Sequence, residues 1–340
     1  MAAPIVAVVG ATGYVGKLVM PWLQDAVEKG RIKELRVLSR RPGGVNSAKV
    51  FAVDYDKKES LDEALSGANV LLSIPLVSRA NVGMMGLQGN DWQKNKEALV
   101  DAAARNKVSV YIPSEFGTYY YPTNYPNHPI FELKAHHFAE AKKKIPKVVA
   151  IFTSLIMEQG FFRDLGFDNE KEVWTIVGPG DVPVSFTAND DVGRFTVEAA
   201  IMAYEEPDKI PNKLVIYSST MTFQQYAEIF DKYATTGNKI KIQGKPLPQA
   251  KEEWENMKHK VPVYMVFFLE YSAYSKVGPL LLIMMAEGHF DHSIYDGNEI
   301  LNPNESKWKL RDFEDYAREV KGRPWVGKQP FDLPFDEFTK

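Results

Sequence analysis

The feature that most constrains this chain is the segment Gly10-Ala-Thr-Gly13-Tyr-Val-Gly16, which joins an apolar run to an amphipathic stretch. The run Ile5 to Val9 predicts a strand, and Tyr14 to Glu28 predicts a helix. Glycines at such a turn let the backbone approach a pyrophosphate, whose charge is held by the amides of the helix N-terminus. We therefore predict a dinucleotide-binding loop; a purely structural turn is the alternative. A triphosphate loop is disfavoured, because Leu18 stands where magnesium binding requires Ser or Thr.

The end of the second predicted strand indicates which dinucleotide is bound. An NAD-preferring site has Asp or Glu about 20 residues after the glycines. This strand ends instead in Ser39-Arg40-Arg41, whose guanidinium groups and hydroxyl complement a 2′-phosphate. We predict NADP(H) as the cofactor; a solvated basic turn is the alternative.

Residues 1–155 alternate short apolar runs with amphipathic stretches. The predicted strands are Ile5 to Val9, Leu35 to Ser39, Val50 to Val53, Val70 to Ile74, Val108 to Ile112 and Val148 to Phe152. The predicted helices are Tyr14 to Glu28, Ser60 to Leu65, Asp91 to Asn106, with Asp91 near its N-cap, and Ile130 to Lys144, with Pro129 in its first turn. This order is typical of an α/β fold with a Rossmann-type, doubly wound parallel sheet.

The alternation ends near residue 155. We predict a Rossmann domain over residues 1–155 and a smaller, helix-rich substrate lobe over 156–340, with about 190–236 returning to the Rossmann domain. Thr222 and Gln225 form a capping box that predicts a helix over Phe223 to Ala234. Other predicted elements are helices over Asp190 to Tyr204, Pro248 to Lys258, Tyr264 to Ala286 and Lys307 to Val320, and a strand over Leu214 to Tyr217. The cleft between the lobes is the expected site.

Composition excludes several classes of function. The 340 residues include no cysteine, which rules out disulfides, thiolate metal sites and a cysteine nucleophile. The 41 Lys+Arg and 44 Asp+Glu leave a net charge of −3, so we expect no nucleic-acid partner. The N-terminus lacks the basic region of a signal peptide, and Val261 to Met285 is interrupted by charges and Pro279. We therefore predict a cytoplasmic protein with no membrane partner.

Common catalytic motifs are missing from the sequence. It contains no Gly-x-Ser-x-Gly, no His-Glu-x-x-His and no Tyr-x-x-x-Lys. His289, Asp291 and His292 lack a further spaced ligand, so we expect a structural role and predict no metal.

The chain resembles the NmrA-like, isoflavone-reductase-like branch of the atypical short-chain dehydrogenases, which includes phenylcoumaran benzylic ether reductases and eugenol synthases. The matching segments are Gly10 to Gly16, Arg40, Tyr111-Ile-Pro-Ser-Glu-Phe-Gly117, Lys134 and Asp191-Val-Gly-Arg194. The resemblance implies that Lys134 is the catalytic acid/base. Together with the motif reading, it predicts the following cofactor-binding residues: Gly10, Thr12, Gly13, Tyr14, Val15, Gly16, Ser39, Arg40, Arg41, Ser73, Ile74, Pro75, Ser114, Glu115, Phe116, Lys134, Phe152, Thr153 and Ser154.

Chemistry from the residues agrees with this assignment. Hydride transfer to a carbonyl or quinone-methide carbon leaves an oxyanion that needs a proton, and a desolvated Lys134 could supply it; a solvated helix lysine is the alternative. His136-His137-Phe138 stands where the plant reductases usually have paired arginines, which leaves the substrate open. An aromatic cluster could stack on a planar phenolic ligand, and for each single ring packing within the lobe is the alternative; its members are Phe116, Tyr119, Tyr120, Tyr121, Phe161, Phe162 and Phe167.

The sequence therefore favours an NADPH-dependent reductase of a small aromatic, phenolic or quinonoid substrate. Two alternatives stay open: a non-catalytic NADP(H)-sensing regulator that binds a protein partner, and an NADP-assisted isomerase or dehydratase. The sequence does not decide between a monomer and a homodimer.

Overall fold

The computed structural model describes residues 2–40, 48–74, 90–121, 129–258 and 272–327. The strands are β1 (Ile5–Val9), β2 (Glu34–Ser39), β3 (Lys49–Ala52), β4 (Val70–Ser73), β5 (Val110–Pro113), β6 (Lys147–Val148), β7 (Ala150–Phe152), β8 (Leu155–Ile156), β9 (Phe167–Asp168), β10 (Val173–Val177), β11 (Val184–Thr187), β12 (Lys213–Val215), β13 (Ser219–Met221) and β14 (Lys241–Lys245). The α-helices are α1 (Tyr14–Glu28), α2 (Lys58–Leu65), α3 (Asn90–Arg105), α4 (Pro129–Lys144), α5 (Met157–Gly160), α6 (Asn189–Glu205), α7 (Phe223–Tyr233), α8 (Leu247–Lys258), α9 (Ser272–Ala286), α10 (Gly297–Leu301) and α11 (Phe313–Glu319).

A six-stranded parallel sheet forms the centre of the first half, in the order β3-β2-β1-β4-β5-β6. The strand order reverses between β1 and β4, where Val9 lies opposite Ser73. In open α/β sheets a ligand binds at such a switch point, at the carboxyl ends of the strands. The predicted doubly wound α/β fold is confirmed.

Both faces of this sheet are covered, which explains why its strands are apolar without alternation. Val6 and Val8 point to the side that carries α1 and α6, where they join a core with Leu23 and Phe195. Ala7 and Val9 join the core formed with α2, α3 and α4, and Ile5 packs against it. Successive side chains of a strand point to opposite faces, so each face requires its own apolar set.

The second half contains two small sheets, β14-β10-β9 and β13-β11-β8, packed around aromatic side chains. The Phe161 ring lies 4.4 Å from that of Phe186 and 5.5 Å from that of Trp174, between ring centroids. Phe161 and Phe167 are fully buried and Phe162 is 3% exposed. For these three rings the structure shows the alternative, packing within the lobe: they belong to the core. We call the cluster of Phe161, Phe167, Trp174, Phe186, Tyr226, Phe230 and Phe313 the aromatic core.

Two elements of the second half contact the first. Helix α6 packs against α1, and β12 pairs in parallel with β7. Strands β6 and β7 are separated by Val149, whose N–H donates to the Tyr111 carbonyl, so the hydrogen-bonded array continues from β5 to β12. The division into domains at residue 155 stays a prediction.

Most predicted helix bounds agree with the structure. α1 has the predicted ends, and both hydrogen bonds of the Thr222–Gln225 capping box are formed. The helix predicted from Lys307 begins only at Phe313, because Asn302 and Asp191 bind the backbone and indole of the preceding residues instead. Asp91 lies inside the first turn of α3 and not before it. The first part of the predicted helix Tyr264 to Ala286 lies outside the described residues.

Within the described ranges, the helices are all too short or too polar to cross a bilayer.

Candidate functional site

The glycine loop connects β1 to the N-terminus of α1. Gly10 has a φ of 89°, a left-handed conformation that favours glycine. A Cβ on Gly16 would lie 2.1 Å from the Gly10 carbonyl oxygen, so no side chain fits there. Gly13 precedes α1 with extended backbone, and this cap has no side-chain hydrogen bond and no acidic residue in the first turn. The N-terminus of α1 therefore offers free backbone amides and the positive end of the helix dipole, both of which suit a pyrophosphate.

Side chains of the loop tie it to the second half of the chain. The Tyr14 hydroxyl donates to Asn189 Oδ1 at 2.5 Å, at the start of α6. The Tyr14 ring is buried beside Val192, and Val15 and Phe116 pack against the same small cluster. Thr12 is exposed. This cluster places the segment after β5 next to the first turn of α1.

The basic turn lies at the carboxyl end of β2. Ser39 is the last residue of that strand and is half-buried, and Arg40 follows it as an exposed side chain. The Arg40 charge also acts on Tyr55, whose pKa is raised chiefly by burial. Arg41 lies outside the described residues. Arg40 thus lies at the carboxyl end of β2, and its contact with a ribose 2′-phosphate stays a prediction.

The ends of β4 and β7 are buried. Ile74 donates its N–H to the Val9 carbonyl at 2.9 Å, so Ser73 and Ile74 adjoin the glycine loop. Phe152, Thr153 and Ser154 are at most 2% exposed. Their side chains turn inward, as in the bond from Ser154 Oγ to the Ser185 carbonyl at 2.6 Å. Pro75 lies outside the described residues, and contact between these segments and a cofactor stays a prediction.

Strained backbone marks the same edge of the sheet. Phe116, after β5, has a φ of 37°, and Ser154, after β7, has a φ of 56°. Residues other than glycine rarely adopt a positive φ, and the residues that do so are concentrated at binding sites. The Phe116 N–H donates to the Ile151 carbonyl at 2.9 Å, and Ser154 donates to Gly117 at 3.0 Å. These bonds fix the turn that carries Ser114 and Glu115.

The predicted catalytic lysine lies at this turn. Lys134, on α4, donates from Nζ to the Glu115 carbonyl oxygen at 2.9 Å, and its Nζ lies 3.4 Å from Glu115 Oε2. Its side chain is 21% exposed, whereas that of Glu115 is 2% exposed. The Tyr120 hydroxyl faces both oxygens of the same carboxylate, at 3.4 and 3.5 Å. The structure thus places Lys134 in a mostly buried polar cluster and not on a solvated helix face.

A second lysine of this cluster was missed by the sequence reasoning. Lys96, on α3, is 4% exposed, and burial together with the charge of Lys134 lowers its pKa to about 7. Its position three residues before Leu99 and seven before Ala103 puts it on the buried face of the helix. The signal available in the sequence was the helical spacing of Lys96 from apolar residues that lie on one face of the same helix.

His137, on α4, is buried against Tyr111. Its Nε2 lies 2.8 Å from the Tyr111 hydroxyl, and burial lowers its pKa to about 3. The ring is therefore neutral at physiological pH, while the neighbouring His136 is exposed. Of the adjacent pair His136-His137, only His137 is a core residue.

The histidines near residue 290 have structural partners. Asp291 caps a short 3₁₀ turn by accepting from the Ser293 N–H. His292 is buried, with Nδ1 3.2 Å from the Ile216 carbonyl oxygen, and His289 pairs with Glu287 at 3.5 Å. In the part of the chain that the structure describes, no three His, Asp or Glu side chains converge as metal ligands.

A parallel sheet with the order 3-2-1-4-5-6, a glycine loop at its switch point and a basic turn after β2 define the class of dinucleotide-binding α/β proteins. The chain belongs to the NmrA-like family, whose model matches residues 3–317.

Individual relatives agree with this classification. Oxidoreductase BOA1 of Botryotinia fuckeliana (strain B05.10) is 28% identical over 210 residues, which are 56% of this chain and 65% of that protein. The match thus spans just under two thirds of the relative's length.

Two solved structures share the fold. The leucoanthocyanidin reductase–NADPH complex from Vitis vinifera has a TM-score of 0.67 and 15% identity, covering 93% of this chain and 99% of that one. AtPrR2, solved with NADP+ and (+)pinoresinol, has a TM-score of 0.67 and 18% identity, covering 93% and 98%. At these identities, the likeness concerns the fold.

Proposed function

We propose that this protein is an NADPH-dependent reductase that transfers hydride to a small aromatic, phenolic or quinonoid substrate, with Lys134 as the proton donor. One observation carries the proposal. The Lys134 ammonium group is held by Glu115 at the carboxyl edge of the sheet, beside the turn that packs against the start of α1. Named oxidoreductases among the relatives, and NADPH or NADP+ in the structural neighbours, support it.

Cofactor binding follows from the residues at this edge. The amides at the start of α1 would hold the pyrophosphate, and Ser39 and Arg40 would meet the 2′-phosphate. Gly16 has no room for a side chain, which is the fit expected where a helix closes on a phosphate-binding loop. When bound, NADPH supplies a hydride, that is, a proton with two electrons.

Lys134 completes the reaction. Hydride added to the substrate carbon leaves an oxyanion, and the Lys134 ammonium donates one proton to that oxygen, forming the O–H bond and leaving a neutral amine. The Glu115 carbonyl and carboxylate orient Nζ before the transfer. The 21% exposure of the Lys134 side chain lets the amine regain its proton from water.

The half-buried rings of Tyr119, after β5, and Tyr295 are the best candidates for substrate contact. Tyr119 packs at right angles to Tyr295 with ring centroids 5.2 Å apart, and its ring centroid also lies 4.9 Å from that of Phe152. Tyr119 and Tyr295 each keep part of their surface exposed. Stacking on such rings favours a planar aromatic substrate.

The experiment compares Lys134→Met with the wild type in NADPH oxidation against phenolic ketones, quinones and benzylic ethers. We expect a loss of about 10²- to 10⁴-fold in kcat, the usual contribution of general acid catalysis, with NADPH affinity nearly unchanged. Lys142→Met is the matched control, because Lys142 lies two turns further along α4 and is exposed.

Two results would contradict the proposal. If the wild type binds NADPH but oxidises it with none of these substrates, the protein is not a reductase of this class. If Lys134→Met and Lys142→Met have the wild-type rate, the proton comes from elsewhere.

A further inference from the structure

A groove between α1 and α6 takes no part in the proposed reaction. It has a volume of about 300 Å³. Aromatic and charged side chains line it, among them Trp22, Arg31, Arg194, Glu198, Lys307 and Trp308. Trp22 lies eight residues beyond Tyr14, the first residue of α1, which corresponds to about 12 Å along the helix. Arg31 precedes β2, whereas Arg40 follows that strand. The groove is therefore separate from the glycine loop and from the basic turn.

The Arg194 guanidinium group is held in this groove by an aromatic ring. Its central carbon lies 4.0 Å from the centroid of the Trp22 ring and 6.0 Å from that of Trp308. A cation stacked in this way uses the face of its guanidinium plane, whereas its N–H groups point outward in that plane. The Trp22 ring thus fixes the plane of the guanidinium group and leaves the edges of that plane able to donate hydrogen bonds.

An acidic residue lies three positions before Arg194 on α6, but its oxygens are bonded elsewhere. Asp191 accepts from Ser218 Oγ at 2.6 Å and from Trp308 Nε1 at 3.0 Å. The charge of Arg194 acts on Asp191 without a hydrogen bond between the two side chains. Residues three apart on a helix are neighbours, so a pair would be expected at this spacing if the carboxylate were free.

The acidic residue four positions after Arg194 is also engaged by other groups. Glu198 accepts from the two terminal guanidinium nitrogens of Arg31 at 2.5 and 3.0 Å, and from Lys307 Nζ at 2.8 Å. In the part of the chain that the structure describes, no carboxylate or carbonyl oxygen accepts a hydrogen bond from the Arg194 side chain. Both local carboxylates are thus occupied, and the donors of Arg194 are left for another acceptor.

The charge of the groove favours an anion as that acceptor. Its lining contains four cationic and two acidic side chains, which leaves an excess of two positive charges. The side chains of Arg31 and Lys307 are each 42% exposed, so their charges also act on the groove. A guanidinium fork matches the two oxygens of a carboxylate or a phosphate in a bidentate contact.

We propose that this groove binds the oxyanion group of a small molecule, a carboxylate or a phosphate, with Arg194 as its main contact. Trp22 orients the guanidinium group, and Arg31 and Lys307 add positive charge beside it. The site does not involve Lys134 or the glycine loop, so it is independent of the reductase function proposed above.

The first experiment follows the Arg194 side chain directly. In protein labelled with ¹⁵N-arginine, the Nε–H resonance of Arg194 is identified by its absence in Arg194→Met. NADP+ is added to occupy the proposed cofactor site, and the probes are inorganic phosphate, phenyl phosphate and benzoate. We expect at least one probe to shift this resonance to saturation. The ranking of the three probes then distinguishes a free phosphate, a phosphate ester and a carboxylate.

The second experiment measures the affinity for the same probes by calorimetry. Arg194→Met should weaken binding by about 10- to 100-fold, the usual effect of losing hydrogen bonds to a charged group. Arg318→Met is the matched control, because Arg318 also lies over an aromatic ring, that of Tyr233 at 5.2 Å, but is paired with Asp315 at 2.7 Å. This control should bind the probes like the wild type.

A third variant should strengthen binding, a result that loss of folding cannot produce. Glu198→Gln removes the negative charge that Arg31 and Lys307 share, and should tighten anion binding by up to about tenfold. Circular dichroism monitors the fold of each variant. A folded Glu198→Gln with the wild-type affinity would show that no anion is bound beside these side chains.

Two further results would overturn the proposal. The Arg194 resonance could stay unchanged with all three probes, or Arg194→Met and Arg318→Met could bind them equally well. Either result would make Arg194 a packing residue of the contact between α1 and α6. Neither would affect the reductase proposal, which is tested by turnover and by Lys134→Met.

Discussion

Two buried regions of this protein are built in opposite ways. The aromatic core of the second half contains rings in mutual contact, with Phe161 4.4 Å from Phe186 and 5.0 Å from Phe230. The cluster at the end of β5 buries a carboxylate and a lysine beside the partly exposed Lys134. Apolar burial stabilises a fold, whereas buried charge costs free energy unless it is well paired. The contrast separates the residues that hold the protein together from those that we assign to chemistry.

The largest stability effect is expected in the aromatic core. Phe161→Ala should lower the free energy of unfolding by about 3–5 kcal/mol, because it removes apolar area and leaves a cavity among packed rings. Urea unfolding measures this loss. Phe51→Ala, on the edge strand β3 and only half-buried, is the control and should lose less. A loss below about 1 kcal/mol for Phe161→Ala would mean that this ring is not part of the core and would return it to the candidate substrate-facing residues.

In the charged cluster, removing a side chain is expected to raise the free energy of unfolding. Lys96 has a folded-state pKa of about 7 against an ordinary value of 10.5, so between these values the unfolded chain binds one more proton. Its contribution to the free energy of unfolding therefore rises with pH over this window and is lowest below pH 7. Lys96→Met removes the penalty and should stabilise the protein by on the order of 2 kcal/mol at pH 7.

The difference in the free energy of unfolding between Lys96→Met and the wild type should become smaller as the pH approaches 10. Denaturant titrations at pH 7 and pH 10 measure it, with Lys94→Met as the exposed control. A destabilised Lys96→Met would show that the lysine is a structural residue and would remove the contrast with the aromatic core.

A smaller effect is expected at the exposed basic turn. Replacing Arg40 and Arg41 by alanine should weaken NADPH binding by about tenfold and leave NADH binding nearly unchanged, since the contact proposed for them is with the 2′-phosphate, which NADH lacks. Fluorescence titration with both cofactors measures the ratio, and stability should not change because Arg40 is exposed. Equal loss of both cofactors would refute the assignment of this turn to the 2′-phosphate.

Local patterns predicted the fold well. The apolar runs and the glycine loop predicted the parallel sheet and both ends of α1, and the pair Thr222–Gln225 predicted the start of α7. These features depend on neighbouring residues, so the sequence contains the needed information. The helix predicted from Lys307 was wrong because long-range bonds from Asn302 and Asp191 hold residues 307–308 in another conformation.

The candidate site was predictable only in part. The family resemblance indicated Lys134 and Glu115, but their contact at 2.9 Å joins residues 19 apart in the sequence. Lys96 was missed because a lysine at core spacing in a helix is read as exposed by default. Whether Phe161 and Phe167 face a ligand or the core stayed open, because aromatic content does not reveal the direction in which a side chain points.

The sequence by itself determined the element order, the glycine turn and the basic end of β2, because backbone conformation and apolar periodicity act over a few residues. Only the tertiary structure decided which aromatic side chains are core and which charges meet. Lys96, Glu115 and Lys134 come from three segments, and their electrostatic interaction depends on burial and distance, which arise when α3 and α4 pack against β5.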